Sequence, residues 1–129
     1  MRYLISLLLL FIMLSCSNKE NYQFSGDWKL ITLYETVYGE EDNKPFPEPA
    51  PTISFRSDNL VFYYNTLMSY EIKGDSMILY DDRTKTVSRK FKYKFYNQDE
   101  FSFSFIRKLK VDSIGILDIN YKSIWSKVK

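Results

Sequence analysis

The sequence predicts an all-β protein: one small antiparallel barrel of eight up-and-down strands. Two segments, Arg89–Phe95 and Phe101–Phe105, carry aromatic residues at every second position. That period marks strands, whose successive side chains point to opposite faces. The apolar runs are short and are separated by turn compositions such as Arg56-Ser57-Asp58-Asn59, Lys73-Gly74-Asp75 and Asp81-Asp82-Arg83-Thr84,. Beyond residue 16 no segment keeps a 3.6-residue period,.

The first element is not part of that barrel. Met1-Arg2 supplies one positive charge, and Tyr3–Leu14 is an apolar run broken only by Ser6. A membrane-spanning helix needs about 20 apolar residues, so the run is too short to span. It has the proportions of a secretory signal peptide. The segment closes with Met13-Leu14-Ser15-Cys16, which resembles the lipobox of bacterial lipoproteins. The resemblance implies a diacylglycerol thioether on Cys16 and cleavage just before it. Residues 1–15 are then the signal, and residues 16–25 the lipidated cysteine and a tether. Cys16 is the chain's one cysteine, so no intramolecular disulfide competes for it. The membrane, reached through lipid on Cys16, is therefore the first expected partner. Ser17, where an aspartate usually signals inner-membrane retention, fits the outer membrane. Ser17-Asn18-Lys19-Glu20 is similar to the Lys-acidic signal of some surface-exported Bacteroidota lipoproteins.

The strands follow at 27–38, 52–55, 60–64, 66–72, 76–80, 85–96, 101–110 and 113–128. The first is dense in aromatic and β-branched residues,. Between the first two lies a loop, 39–51, holding all four prolines at alternate positions. Proline lacks a ladder N–H and fixes φ near −65°, so this loop is expected to be extended, with Phe46 exposed between prolines as a contact for a protein partner. Phe91, Tyr93 and Phe95 can face Phe101, Phe103 and Phe105 as cross-strand pairs. Closure into a barrel removes the open sheet edges.

Composition narrows the function. Removing residues 1–15 takes away Arg2 and no acid, so the net charge falls from +2 to +1; this does not favour a nucleic-acid partner. Residues 16–82 carry 5 basic and 12 acidic residues, and residues 83–129 carry 12 and 4. The halves meet where the last strand joins the first, so cross-strand ion pairs are expected. The alternative is a basic face of Lys90, Lys92, Lys94, Arg107, Lys108 and Lys110 for anionic lipid or an acidic partner. Histidine is absent, which removes the commonest general base and metal ligand. The carboxylate sets Glu40/Glu41/Asp42, Asp81/Asp82 and Asp99/Glu100 fall in expected turns without a partner base. No cofactor, no metal and no catalysis are expected.

Gly26-Asp27-Trp28 resembles the Gly-x-Trp of the lipocalins. With Ile53-Ser54-Phe55 and Tyr70-Glu71-Ile72-Lys73-Gly74-Asp75-Ser76-Met77-Ile78-Leu79, the chain is similar to the lipocalin-like lipoproteins of Bacteroidota. The resemblance implies an eight-stranded barrel over 26–129 that can hold a small apolar ligand. It also implies that Trp28 packs over the barrel floor against an arginine of the last strand; this chain has no arginine there, and Lys127 and Lys129, with Trp125 nearby, are the candidates. Trp28, Phe62, Tyr70, Phe91, Tyr93, Phe101, Phe103 and Phe105 are the expected inward residues. An eight-stranded barrel is either filled by its side chains or holds one small ligand. The sequence leaves both open: a binding barrel, or a solid scaffold acting through the 39–51 loop.

Overall fold

The computed structural model describes residues 22–129. The signal segment, Cys16 and the first part of the expected tether lie outside the described residues. The elements are β1 (Gly26–Val37), β2 (Glu40–Asn43), β3 (Thr52–Phe55), β4 (Leu60–Tyr63), β5 (Thr66–Lys73), β6 (Ser76–Asp81), β7 (Val87–Asn97), β8 (Glu100–Val111) and β9 (Gly115–Lys127). From β3 onward each strand pairs antiparallel with the next, and β9 returns to pair with β1. The described residues are thus all-β, and β1 with β3–β9 make a closed eight-stranded, up-and-down barrel, consistent with a lipocalin-like fold.

The ninth strand is a branch from that barrel. Strand β1 pairs with β9 from Trp28 to Val37 along one edge. Its other edge is shared: Gly26–Lys29 pair with β3, and Tyr34–Val37 pair with β2. Strands β2 and β3 therefore form one interrupted partner of β1. The interruption is the proline segment, pinned at its ends by the Lys44 N–H to the Leu33 carbonyl (2.8 Å) and the Leu30 N–H to the Pro51 carbonyl (3.0 Å). Prolines at alternate positions have no N–H to continue the ladder. Residues 39–51, expected as one loop, thus begin with a strand. Its four residues are all exposed, so no apolar alternation announces it. A tight turn makes it, with Tyr38 and Gly39 both at positive φ (51° and 77°), as a two-residue hairpin of type I′ requires.

The core is aromatic. Trp28, Leu30, Ile53, Phe55, Val61, Met77, Leu79, Phe91, Phe101, Phe103 and Trp125 form its buried cluster. Trp28 packs on Phe101 (ring centres 4.7 Å apart) and Phe101 on Phe103 (4.8 Å). Phe24 adds its ring to Phe55, Phe95 and Phe101. Residues 16–25 are therefore not tether throughout, because Phe24 is part of the barrel's filling. Among the described residues the sheet spans 26–127 and the core 24–125.

One seam opens. Strands β7 and β8 pair only from Asn97/Glu100 to Lys92/Ser104. Beyond that β7 follows β6, while β8 and β9 run on together to Val111/Gly115. Since β1 leaves β9 at Val37/Ile119, residues 107–118 are a two-stranded arm standing off the barrel.

Candidate functional site

The two ends of the barrel differ. At one end, Phe24, Trp28, Phe95 and Phe101 fill the interior as a plug. At the other, the interior remains open as a cup of about 480 Å³, within the size range of small-ligand pockets. Its apolar wall is Leu33 of β1, Met68 of β5, Phe91 of β7, Phe105 of β8 and Tyr121 of β9; Tyr63, Tyr64, Thr66, Ser88, Arg89 and Ser123 supply the polar atoms. Phe91 lies flat on Phe103, with ring centres 4.7 Å apart and planes 14° from parallel. Phe103, itself buried, thereby makes the layer beneath the floor. Phe105 stacks on Tyr121 at 5.1 Å. Tyr64 meets Trp125 edge-on at 6.2 Å.

The cup exists because β3 and β4 are short. Each has four residues, so the wall is low where Tyr64-Asn65 turns the chain back at positive φ (50° and 62°). Large rings from the longer strands β7, β8 and β9 cannot fill the space above that step. Burial pushes the Tyr63 phenol well above its ordinary pKa of 10.0, with the neighbouring Tyr64 adding to the shift,. Tyr64 is raised by burial too, opposed first by the hydrogen bond it accepts from Tyr63 and then by Arg89.

The expected lining residues divide into four groups. Phe91 and Phe105 reach the cup. Trp28, Phe101 and Phe103 are packed core, at 0–2% exposure. Tyr70 and Tyr93 lie toward the plugged end, around a shallow recess shared with Gln23, Phe24, Asn59 and Ile72; the Tyr93 hydroxyl donates to the Gly74 carbonyl (2.9 Å). Phe62 does not line the barrel. It is 38% exposed, sits opposite Ser54 and Leu67 and has the Arg56 guanidinium 5.9 Å above its ring. Val61 and Tyr63 are the inward residues of β4; all four of its residues are apolar or aromatic, so parity was ambiguous in the sequence. Phe46 is also corrected: it is half-buried against the core, not exposed between prolines. Cys16 lies outside the described residues.

The expected charge pairing is nearly absent. Lys122 to Glu41 (3.5 Å) is the one long-range ion pair joining the two halves among the described residues. Lys90, Lys92 and Lys94 do occupy the outside of β7, opposite Ile78, Ser76 and Ser102. Among the described residues no three Cys, Asp or Glu side chains converge as metal ligands would.

Sequence reasoning missed Leu33, Tyr63, Tyr64, Met68, Arg89 and Tyr121. For Arg89 a signal was present: it shares the parity of Phe91, Tyr93 and Phe95, and so belongs to the inner face. The rest depend on how far each wall rises, which no local pattern records.

Fold and cup together define a small antiparallel β-barrel plugged at one end and open at the other. Comparison with protein-family models, curated proteins and solved structures finds no match to the chain.

Proposed function

We propose that this protein is a lipoprotein of the bacterial cell envelope, anchored through lipid on Cys16, whose barrel takes up a small apolar ligand at its open end. The cup walled by Leu33, Met68, Phe91, Phe105 and Tyr121 is the observation that carries the binding role. Lipidation rests on Met13-Leu14-Ser15-Cys16 following a short apolar run. One acyl chain gives only marginal anchoring, whereas each buried CH₂ adds about 0.8 kcal/mol, so the two or three chains of a lipoprotein hold it permanently. Ser17 favours the outer membrane. Phe24 sits in the plug, so the tether leaves from the closed end, and on this reading the mouth points away from the membrane. The role is carriage rather than catalysis.

Native mass spectrometry of the chain from Ser17, mixed with fatty acids and isoprenoids, tests the binding role. A stoichiometric adduct is expected, lost in Met68→Trp, which fills the cup. A clean apo mass across the panel contradicts it. A scaffold acting through its surface is the second reading. The arm favours it over the docked proline segment, since Ile114 and Ile116 are 54% and 69% exposed.

A further inference from the structure

We propose that the cup is built for an amphiphile with a single anionic head, held at the rim by Arg89, with its apolar body lying on Met68 and Phe91. This rests on the cup being a binding site and names the chemistry of what enters it.

Arg89 pairs across the β6–β7 ladder with Leu79, which is 1% exposed. Residues directly opposite each other share a face of the sheet, so Arg89 issues from the inner face although its side chain ends at the mouth. Its neighbour Lys90 belongs to the other face, with Lys92 and Lys94. Arg89 is thus a cation placed on the aromatic side of its strand.

Among the described residues Arg89 is also the only charged one lining the cup. The ion pairs among the described residues engage Lys44, Lys73, Lys85, Lys108, Lys122 and Lys129, and none engages Arg89. A guanidinium offers a planar fork of donors matched to carboxylate or phosphate oxygens. Beside it stand Tyr63 and Tyr64, whose rings are 4.6 Å apart. The Tyr63 hydroxyl donates to the Tyr64 oxygen, which leaves the Tyr64 O–H as the phenol donor free to reach an anion. Below the rim, Met68 and Phe91 give an apolar surface down to the Phe91–Phe103 stack, with Ser123 level with Phe103. A cation and one phenol donor above an aromatic floor match an anionic head above an apolar tail. A neutral hydrocarbon would gain nothing from the guanidinium, which is exposed to water, and a cationic amphiphile would be repelled.

Binding of dodecanoate, dodecyl phosphate, dodecanol and dodecylammonium to the chain from Ser17, by calorimetry, tests this with one tail and four heads. The two anions are expected to bind about two- to fivefold more tightly than dodecanol, the range of an exposed ion pair, and dodecylammonium most weakly. Arg89→Gln is expected to abolish the preference of the anions over dodecanol, and Arg89→Lys to retain part of it. Among the described residues Arg89 makes no ion pair, so the melting temperature of Arg89→Gln should match the parent and confirms that the variant is folded. If dodecanoate and dodecanol bind equally and Arg89→Gln changes neither, the anionic head is overturned while the cup survives. If no probe binds, the cup itself is overturned, and this inference with it. Retention of one anion and loss of the other shows whether carboxylate or phosphate is the head recognised.

Discussion

Lys127 lies directly across the β1–β9 ladder from Trp28 and holds its ammonium 5.7 Å from the centre of the indole. Trp28 is fully buried, and its ring N–H donates to the Ser25 carbonyl at 3.0 Å. Gly26, two residues earlier, has φ +76°, and a Cβ there would stand 3.6 Å from the Lys127 Cε. The glycine turns the chain into β1 at a φ that L residues rarely adopt, the indole seals the floor, and the lysine caps the indole. Gly-x-Trp is therefore a structural plug at the closed end, remote from the cup.

Trp28→Ala is expected to destabilise the barrel by about 3–5 kcal/mol, the usual cost of removing a buried tryptophan. Lys127→Met keeps the aliphatic stem and removes the charge; it is expected to cost about 0.5–1 kcal/mol, the range of a partly exposed cation–π contact. Urea midpoints measure both. An unchanged midpoint in Trp28→Ala contradicts the plug.

Phe46 ties the proline segment to the barrel. Phe46→Ala is expected to cost about 1–2 kcal/mol, because the half-buried ring returns apolar area to water. A fully exposed ring predicts no change in the denaturation midpoint.

Alkaline stability reports on the cup wall. Burial holds the Tyr63 phenol neutral above its ordinary value of 10.0, so above that pH the unfolded chain has released a proton that the folded chain retains. The stability contributed by this group is whole below pH 10 and is lost as pH rises toward the folded pKa. Melting temperature is expected to fall between pH 9 and pH 11, and Tyr63→Phe to lessen that fall (about 10 being the ordinary tyrosine value). Equal falls in the two proteins contradict the burial of Tyr63.

The arm is dispensable to the fold. Arg107 to Asp118 pair only within the β8–β9 hairpin. Replacing 108–117 with a two-residue turn is expected to leave the melting temperature within about 4 °C, a shift of less than about 1 kcal/mol for a domain of this size. A collapse in stability would place the arm in the core.

The strand pattern was legible because the short-range signals agree with the global fold. The alternation at 89–95 and 101–105, the turns at 56–59 and 73–75 and the step near Asn65 fix all eight barrel strands to within about two residues, the usual uncertainty at element ends. Strand β2 was hidden because Glu40–Asn43 bury nothing. Phe62 was misassigned because Leu60–Tyr63 has no polar residue to reveal parity, and Phe46 because prolines announce a loop without saying where its ring lies. The cup was the least legible part. It depends on the height of β3 and β4 against β7, β8 and β9, a relation between strands distant in sequence.

The central claim is that the open end takes an apolar ligand while the plugged end does not. Methyl NMR of the chain from Ser17, titrated with dodecanoate, tests it most directly. Leu33 and Met68 in the cup wall are expected to shift in a saturable one-to-one titration, while Ile72 at the opposite end stays fixed. Shifts centred on Ile72 or on Ile114 and Ile116 of the arm, or no shift at all, would contradict the account.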